Sequence, residues 1–470
     1  GTYQTHLAEV DYAKWPLLMP IMRGKTPLHR ACDKGNSAVV KALVGFAKAN
    51  PSWITSEDIK GCTALQYASE TISASALLES LRPSIQRTLL TRPDHTYKRT
   101  ALHMAVEFEK PEVAELIIRF SKNLQVFEEL VMMSDSAGYT ALCCVYDGHV
   151  TSLLLESLPP YLQQKLLLKR DKQEATALHH VCHPNTYRDF PQIHGNSARD
   201  DAVKFIVNCA GRMKPETILL LLVPDVYGNT VLDTACRSDY SSNAAELILD
   251  LVQRSLSQIF CLSNFILFTN KANKSVLHNT MNEDTATLLV KSLESGADKL
   301  KLVTHIDKDG RNILHMAIRG SSLSVKYDRV RRWILPFIDK IMSKNDIPGD
   351  TLHKMLHHTD DNGDTPIITA LSRVALCEND HTQDAYQFIV DLLEFLCSRT
   401  DFEDTLRSVL EQRNIKDQTV FHLAALLPVY RRVPVLEKLV EGADTVEYTS
   451  CSHSYYWLWK AWFTPNFPES

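Results

Sequence analysis

A twelve-residue stretch, Gly24-Lys25-Thr26-Pro27-Leu28-His29-Arg30-Ala31-Cys32-Asp33-Lys34-Gly35, constrains this chain more than any other feature, because weaker copies recur to its far end. A turn closes at Gly24, and the Thr26 hydroxyl is placed to cap a helix that starts at Pro27. Proline is tolerated there because the first helical N–H has no intrahelical partner. Leu28 and Ala31 fall on one face, and His29 is expected to hydrogen-bond back to Thr26. A second helix follows, with Val39, Val40, Leu43 and Val44 as its apolar stripe. A helix pair of this size cannot bury that stripe alone, so it must stack on neighbours like itself.

The neighbours are legible. Gly61-Cys62-Thr63-Ala64-Leu65-Gln66-Tyr67-Ala68, Thr100-Ala101-Leu102-His103-Met104-Ala105 and Gly138-Tyr139-Thr140-Ala141-Leu142 follow the first copy. Then come Thr176-Ala177-Leu178-His179-His180-Val181, Gly228-Asn229-Thr230-Val231-Leu232-Asp233-Thr234-Ala235 and the degraded Ser275-Val276-Leu277-His278. Asp307 to Ala317, Asp360 to Ile367 and Thr419-Val420-Phe421-His422-Leu423-Ala424 bring the series to ten. These motifs resemble the ankyrin repeat, over roughly residues 23–446. The resemblance implies an all-α solenoid of about ten stacked helix-turn-helix repeats with short β-hairpin fingers. It also implies a concave face of fingers and inner helices that binds another protein, with no catalysis.

The spacing departs from the family. The threonines at 26, 63, 100 and 140 are 37, 37 and 40 residues apart, against a usual period of about 33. The excess falls in short apolar segments before the turns: Ile85–Leu90, Phe127–Met133, Tyr161–Leu168, Pro215–Leu222, Asp350–His357 and Phe402–Leu410. Their apolar residues recur every three or four positions, which predicts an extra short third helix in many repeats. Residues 183–201 and 373–384 are polar insertions between inner and outer helices and read as loops. Residues 1–22 are expected to form an N-terminal cap or partial repeat. The aromatic-rich segment 447–470 is expected to form a C-terminal cap or to begin a following segment.

Composition narrows the function. A net charge of −5 over 470 residues gives no nucleic-acid footprint. No apolar run is long enough to insert in a membrane. Eleven cysteines without a Cys-x-x-Cys pair, several at one repeat position (Cys32, Cys182, Cys236), read as buried thiols of an intracellular, cytoplasmic or nuclear protein. No phosphate loop or nucleophile elbow is present, and no catalytic residue, metal ligand or cofactor is assigned. His179-His180-x-Cys182-His183 is read as helix packing. The i, i+4 pair His353 and His357, with Asp360 and Asp361 beyond, is read as structural, because the glutamate of the metalloprotease motif is missing.

The positions left free by the repeat are the finger tips and the inner-helix residue after each signature histidine. Interface hot spots favour Tyr and Arg, with Met adaptable, which selects Tyr67, Met104, Tyr139, Tyr227, Arg311 and Met316 as the expected partner-binding residues. The expected partner is another protein of unknown identity, recognised by a scaffold. The rival readings are a regulatory or recruiting domain of a larger enzyme, receptor or channel, to which the start at Gly1 points, and a divergent metal-dependent enzyme.

Overall fold

A computed structural model describes residues 24–47, 51–145, 147–182, 196–237, 243–280, 282–319, 337, 348, 350–376, 389–395, 403–427 and 435. The expected caps, 1–22 and 447–470, lie outside them. The chain divides into two compact units, Gly1–Leu262 and Ser263–Ser470.

In the first unit each repeat is a triplet of helices. The first repeat has an inner helix Pro27–Asp33, an outer helix Ser37–Ala47 and, in the third place, only the 3-10 turn Pro51–Trp53. The third has an inner helix Ala101–Glu107, an outer helix Pro111–Asn123 and a third helix Phe127–Met132. The outer helix shows why the sequence chooses this arrangement. Val113, Ala114, Leu116, Ile117, Ile118 and Ser121 are buried along one broad stripe, Pro111 opens the first turn, and Lys122 closes the last. The inner helices of the second and fourth repeats, Ala64–Tyr67 and Ala141–Cys144, are single 3-10 turns.

The third helices form where the excess residues predicted them. Pro83–Thr91, Pro160–Leu167 and Pro215–Leu221 each start on a proline. In the second unit Thr351–His357 and Glu403–Glu411 occupy the equivalent place. Two more, Leu262–Ile266 and Gly296–Val303, were not legible as extra segments. Each third helix carries, at its last or next-to-last residue, a buried aliphatic four residues ahead of the next finger: Leu90, Val131, Leu167 and Leu221 in the first unit, and Ile266, Val303, Leu356 and Leu410 in the second. That side chain anchors the helix to the stack before the chain turns.

Three expectations are corrected. The fingers are not β-hairpins: among the described residues there is no strand, and one isolated bridge pairs Thr269 with Ser275. The finger is a tight turn too short for strands: Asp58 N–H donates to the Cys62 carbonyl and Gly61 N–H to the Asp58 carbonyl, while the aspartate side chain takes two further amides. Residues 196–201 are not loop but the first turns of the outer helix Asn196–Ala210. Likewise 373–376 continue the inner helix Pro366–Leu376. The apolar spacing of the inner helix runs on through Val374 and Ala375, whereas 196–201 holds only Ala198 among polar residues, so its composition reads as loop.

Candidate functional site

The face that could receive a partner is made of fingers and inner helices, and two side-chain devices fix it. The first is a carboxylate or amide at the base of each finger. Asp58 Oδ1 accepts the backbone N–H groups of Lys60 (2.8 Å) and Cys62 (3.0 Å). Asp135, Asp171, Asp225, Asp307 and Asp360 repeat this on the amides two and four residues ahead. Asn270 and Asn414 do the same with an amide oxygen. The turn needs a left-handed residue at its close. Gly61, Gly138, Gly228, Gly310 and Gly363 supply it, but Lys98, Glu174, Asn273 and Asp417 occupy that conformation without being glycine.

The second device is the signature histidine. His29 Nε2–H donates to the Cys62 carbonyl of the next finger (2.9 Å), so Nδ1 carries the lone pair. That nitrogen accepts the Thr26 hydroxyl (2.7 Å) and the Thr26 backbone N–H (3.1 Å). His103 makes the same bracket between Thr100 and the Tyr139 carbonyl, and His278 between Ser275 and the Arg311 carbonyl. Gln66 replaces histidine in the second repeat. Its Oε1 accepts from Thr63, and its Nε2–H donates to the Arg99 carbonyl. Burial pushes the His103 and His278 imidazoles down to about 4, and lowers His29 as well. Neutrality is what the bracket demands, since a proton on Nδ1 would face two donors.

Fingers also join one another by a single backbone bond per step. His95 N–H donates to the Lys60 carbonyl, Ser136 to Tyr97, Lys172 to Ala137 and Val226 to Gln173. In the second unit Lys308 donates to Ala272 and Asp361 to Asp309.

On this frame the expected contact residues fare differently. Tyr67 is half-buried: its hydroxyl donates to Asp58 Oδ2 (2.8 Å), and the Lys25 ammonium sits 3.6 Å from its ring centroid. Burial and the Asp58 carboxylate together raise its phenol above the usual range. His180 holds the matching place in the fifth repeat and meets Asp171 Oδ2 at 2.7 Å. Burial alone would raise that carboxyl, yet the bonds from His180 and the Ala175 and Gln173 amides hold it below its ordinary value. The Tyr139 ring lies 4.5 Å from the His180 ring. Met104 and Met316 are half-buried on their inner helices, and Tyr227 is 56% exposed at its finger tip.

Arg311 departs from the expectation of a free tip residue. It is 8% exposed and paired with Asp309, and its Nε stands 3.9 Å from Asp360 Oδ2. Its guanidinium braces one finger against the next, as Arg99 does between Glu107 (2.8 Å) and Asp135 (3.5 Å). The sequence reading also passed over Ile59 (69% exposed), Tyr97 (51%) and Ile415 (73%). Searching for glycines hid Tyr97 and Ile415, whose fingers close on Lys98 and Asp417. The aspartate or asparagine five residues before the capping Thr or Ser marks most of these fingers and would have found Ile415. Among the described residues no group of three or more His, Cys, Asp or Glu is arranged to hold a metal.

Repeated helix triplets, joined by finger bonds and at several steps by a histidine or glutamine bracket, define a helical repeat protein. The first repeat is an ankyrin repeat: that family's model matches residues 23–56, and the capped turn found there recurs through both units. Over 119 residues the chain is 27% identical to the transient receptor potential channel pyrexia of Drosophila melanogaster, covering 25% of this chain and 12% of the channel. The chain thus spans about an eighth of that relative. Among solved structures, the human ASB11 ankyrin repeat domain is 14% identical with a TM-score of 0.35, covering 58% of this chain and 99% of that domain. The ankyrin repeat domain of Bcl-3 is 13% identical with a TM-score of 0.29, covering 72% and 98%. At such scores neither superposition carries weight beside the repeat geometry itself.

Proposed function

We propose that this chain is a recognition scaffold that binds another protein through its fingers and inner helices. The observation that carries the reading is the exposure of large apolar side chains on fingers of the first unit: Ile59, Tyr97 and Tyr227. The fingers under them are fixed by their base aspartates and by one backbone bond per step, so each is ordered before any partner arrives. Tyr67, Met104 and Tyr139 belong to the same surface in this reading. In the second unit Met316 offers a comparable surface, with Arg311 contributing by fixing the tips. The reading includes no catalytic residue, metal or cofactor, and no nucleic acid.

The test is capture from a native lysate by the full chain and by a variant carrying Ile59→Ala, Tyr97→Ala and Tyr227→Ala. Exposed hot-spot side chains contribute roughly 1–2 kcal/mol each, so the variant is expected to lose a stoichiometric partner by tenfold or more. Equal recovery by both chains would place binding elsewhere. A second reading is favoured by the match to the channel: the array acts as a regulatory or recruiting segment within a larger protein. The buried free thiols fit a reducing, intracellular setting for either. Among the described residues no helix is long and apolar enough to cross a membrane.

A further inference from the structure

We propose that the finger face takes an extended, acidic protein segment, held across the fingers of the first unit by Lys60, Lys98 and Lys172. The inference rests on the reading of the fingers as the binding face and adds the chemistry of what binds there.

The charge that the fingers present is not the charge of the chain. The whole sequence carries a net −5, and each of these fingers has a carboxylate at its base, but every base carboxylate is already engaged from within. Asp58 accepts two amides with Oδ1 and the Tyr67 hydroxyl with Oδ2. Asp94 accepts the amides of Thr96, Tyr97 and Arg99. Asp135 accepts two amides and stands 3.5 Å from the Arg99 guanidinium. Asp171 is held by two amides and His180, and Asp225 by two amides and the Asn229 side chain. The acidic residues outside the bases are paired as well, Glu174 with Arg170 at 3.4 Å and Glu57 with Arg92. Lys60, Lys98 and Lys172 differ. Each is exposed, and none stands in an ion pair among the described residues.

These lysines stand where the fingers join. The Lys60 carbonyl accepts the His95 amide, the Tyr97 carbonyl beside Lys98 accepts the Ser136 amide, and the Lys172 amide donates to Ala137. Their backbones are therefore fixed along one continuous stack, with the exposed Ile59 and Tyr97 next to two of them in the chain. Unpaired ammonium groups beside apolar side chains complement a segment that mixes carboxylates with apolar residues. Packed helices lie about 8–10 Å apart, and an extended chain rises about 3.3 Å per residue, so one finger corresponds to about three residues of the segment. A carboxylate opposite Lys60 puts the next, about three residues on, opposite Lys98. Another, about six residues further, meets Lys172 two fingers along. An RNA strand is the weaker fit, because it carries a charge at every nucleotide and has no side chain for Ile59.

The experiment is fluorescence anisotropy of the full chain with labelled synthetic peptides of about 15 residues, long enough to cross these fingers. One peptide has Glu at every third position with Ser, Leu and Tyr between. Two others carry Ser or Lys in place of each Glu. The parent chain is expected to bind the Glu peptide about tenfold more tightly than the Ser peptide and the Lys peptide most weakly. That advantage should shrink several-fold when salt rises from about 0.05 to 0.5 M. Combining Lys60→Glu, Lys98→Glu and Lys172→Glu should reverse the order and favour the Lys peptide, which loss of fold could not do. Should that variant lose its far-ultraviolet dichroism, Lys60→Gln, Lys98→Gln and Lys172→Gln together decide, and should bind the Glu and Ser peptides alike. A parent that binds the Glu peptide no more tightly than the Ser peptide overturns the proposal. So does a parental order retained in the variants, or oligouridylate that displaces the Glu peptide at lower concentration than the unlabelled peptide does. If capture still depends on Ile59, Tyr97 and Tyr227 after such a result, the finger face stands and only the acidic class is lost. Capture indifferent to those side chains would remove the face itself.

Discussion

At the scale of the residue, the signature histidine and its glutamine replacement are a natural experiment. Both accept from a capping threonine with one atom and donate to the next finger's carbonyl with another, but only histidine titrates. His103 is held down to about 4 by burial, against an ordinary value of 6.5. Above pH 6.5 both folded and unfolded chains carry it neutral, and its contribution is complete. As pH falls below 6.5 the unfolded chain takes up a proton that the folded chain refuses, so stability drops until about pH 4. The span is worth about 3 kcal/mol for such a site. His103→Gln should therefore keep the bracket, as Gln66 does, with little change at pH 7.5. It should also flatten the dependence of denaturant midpoint on pH between 6.5 and 4 relative to the parent. His103→Ala should cost about 2–4 kcal/mol at pH 7.5, because the Tyr139 carbonyl and the Thr100 hydroxyl are both left buried without it. A parallel pH slope in the parent and His103→Gln would show that acid acts elsewhere.

The fingers carry the argument at the scale of the element. Nearly all of each finger is written in the sequence, yet glycine proved the wrong signal to follow. The requirement is a left-handed residue at the close of the turn, and glycine merely meets it at least strain. The aspartate or asparagine five residues before the capping Thr, Ser or Asn marks the element more faithfully, and so does the aliphatic four residues before that. The finger from Asp94 to Thr100 holds one extra residue and escapes the count. Third helices were legible where a proline or an acidic start broke a long spacing, but Leu262–Ile266 and Gly296–Val303 lacked that punctuation. Arg311 could not be placed from sequence, because the aspartates that bury it lie on either side of the turn, one of them on the next finger. The glycine-free fingers give a test of the strain argument. Lys98 has φ +59° and an exposed side chain. Lys98→Gly should raise stability by roughly 0.5–1 kcal/mol, the left-handed penalty less the extra entropy glycine loses on folding. Gly61→Ala should lower it by about 1–3 kcal/mol, since a Cβ there would sit 2.4 Å from the His95 ring as well as being strained. Equal midpoints in urea for the parent and Lys98→Gly would refute the account.

Within the first unit, the molecule is joined step by step. Each finger touches the next through one backbone bond, and the first three inner helices also touch the next finger, through His29, Gln66 and His103. Interactions of this kind make stability a sum of repeat terms and nearest-neighbour terms, so a local defect should fade with distance along the stack. Gly138 is the place to introduce one. Its φ is +94°, and a Cβ there would lie 2.8 Å from the Asp171 Cα and 3.0 Å from the Lys172 nitrogen, atoms of the next finger's backbone that cannot step aside cheaply. Gly138→Ala should therefore open the bond from Lys172 to Ala137 first. Hydrogen exchange by mass spectrometry reads the response amide by amide. Protection is expected to fall most at Lys172 and at Ser136, less at Val226, whose bond to Gln173 is one step further on, and least at His95. A fall of equal size at all four amides would mean that the unit opens as one cooperative body. The single finger bonds would then be marking its geometry rather than setting its coupling. Graded loss would mean that the face proposed to meet a partner can loosen one repeat at a time, and that binding across several fingers would stabilise each in proportion to its neighbours.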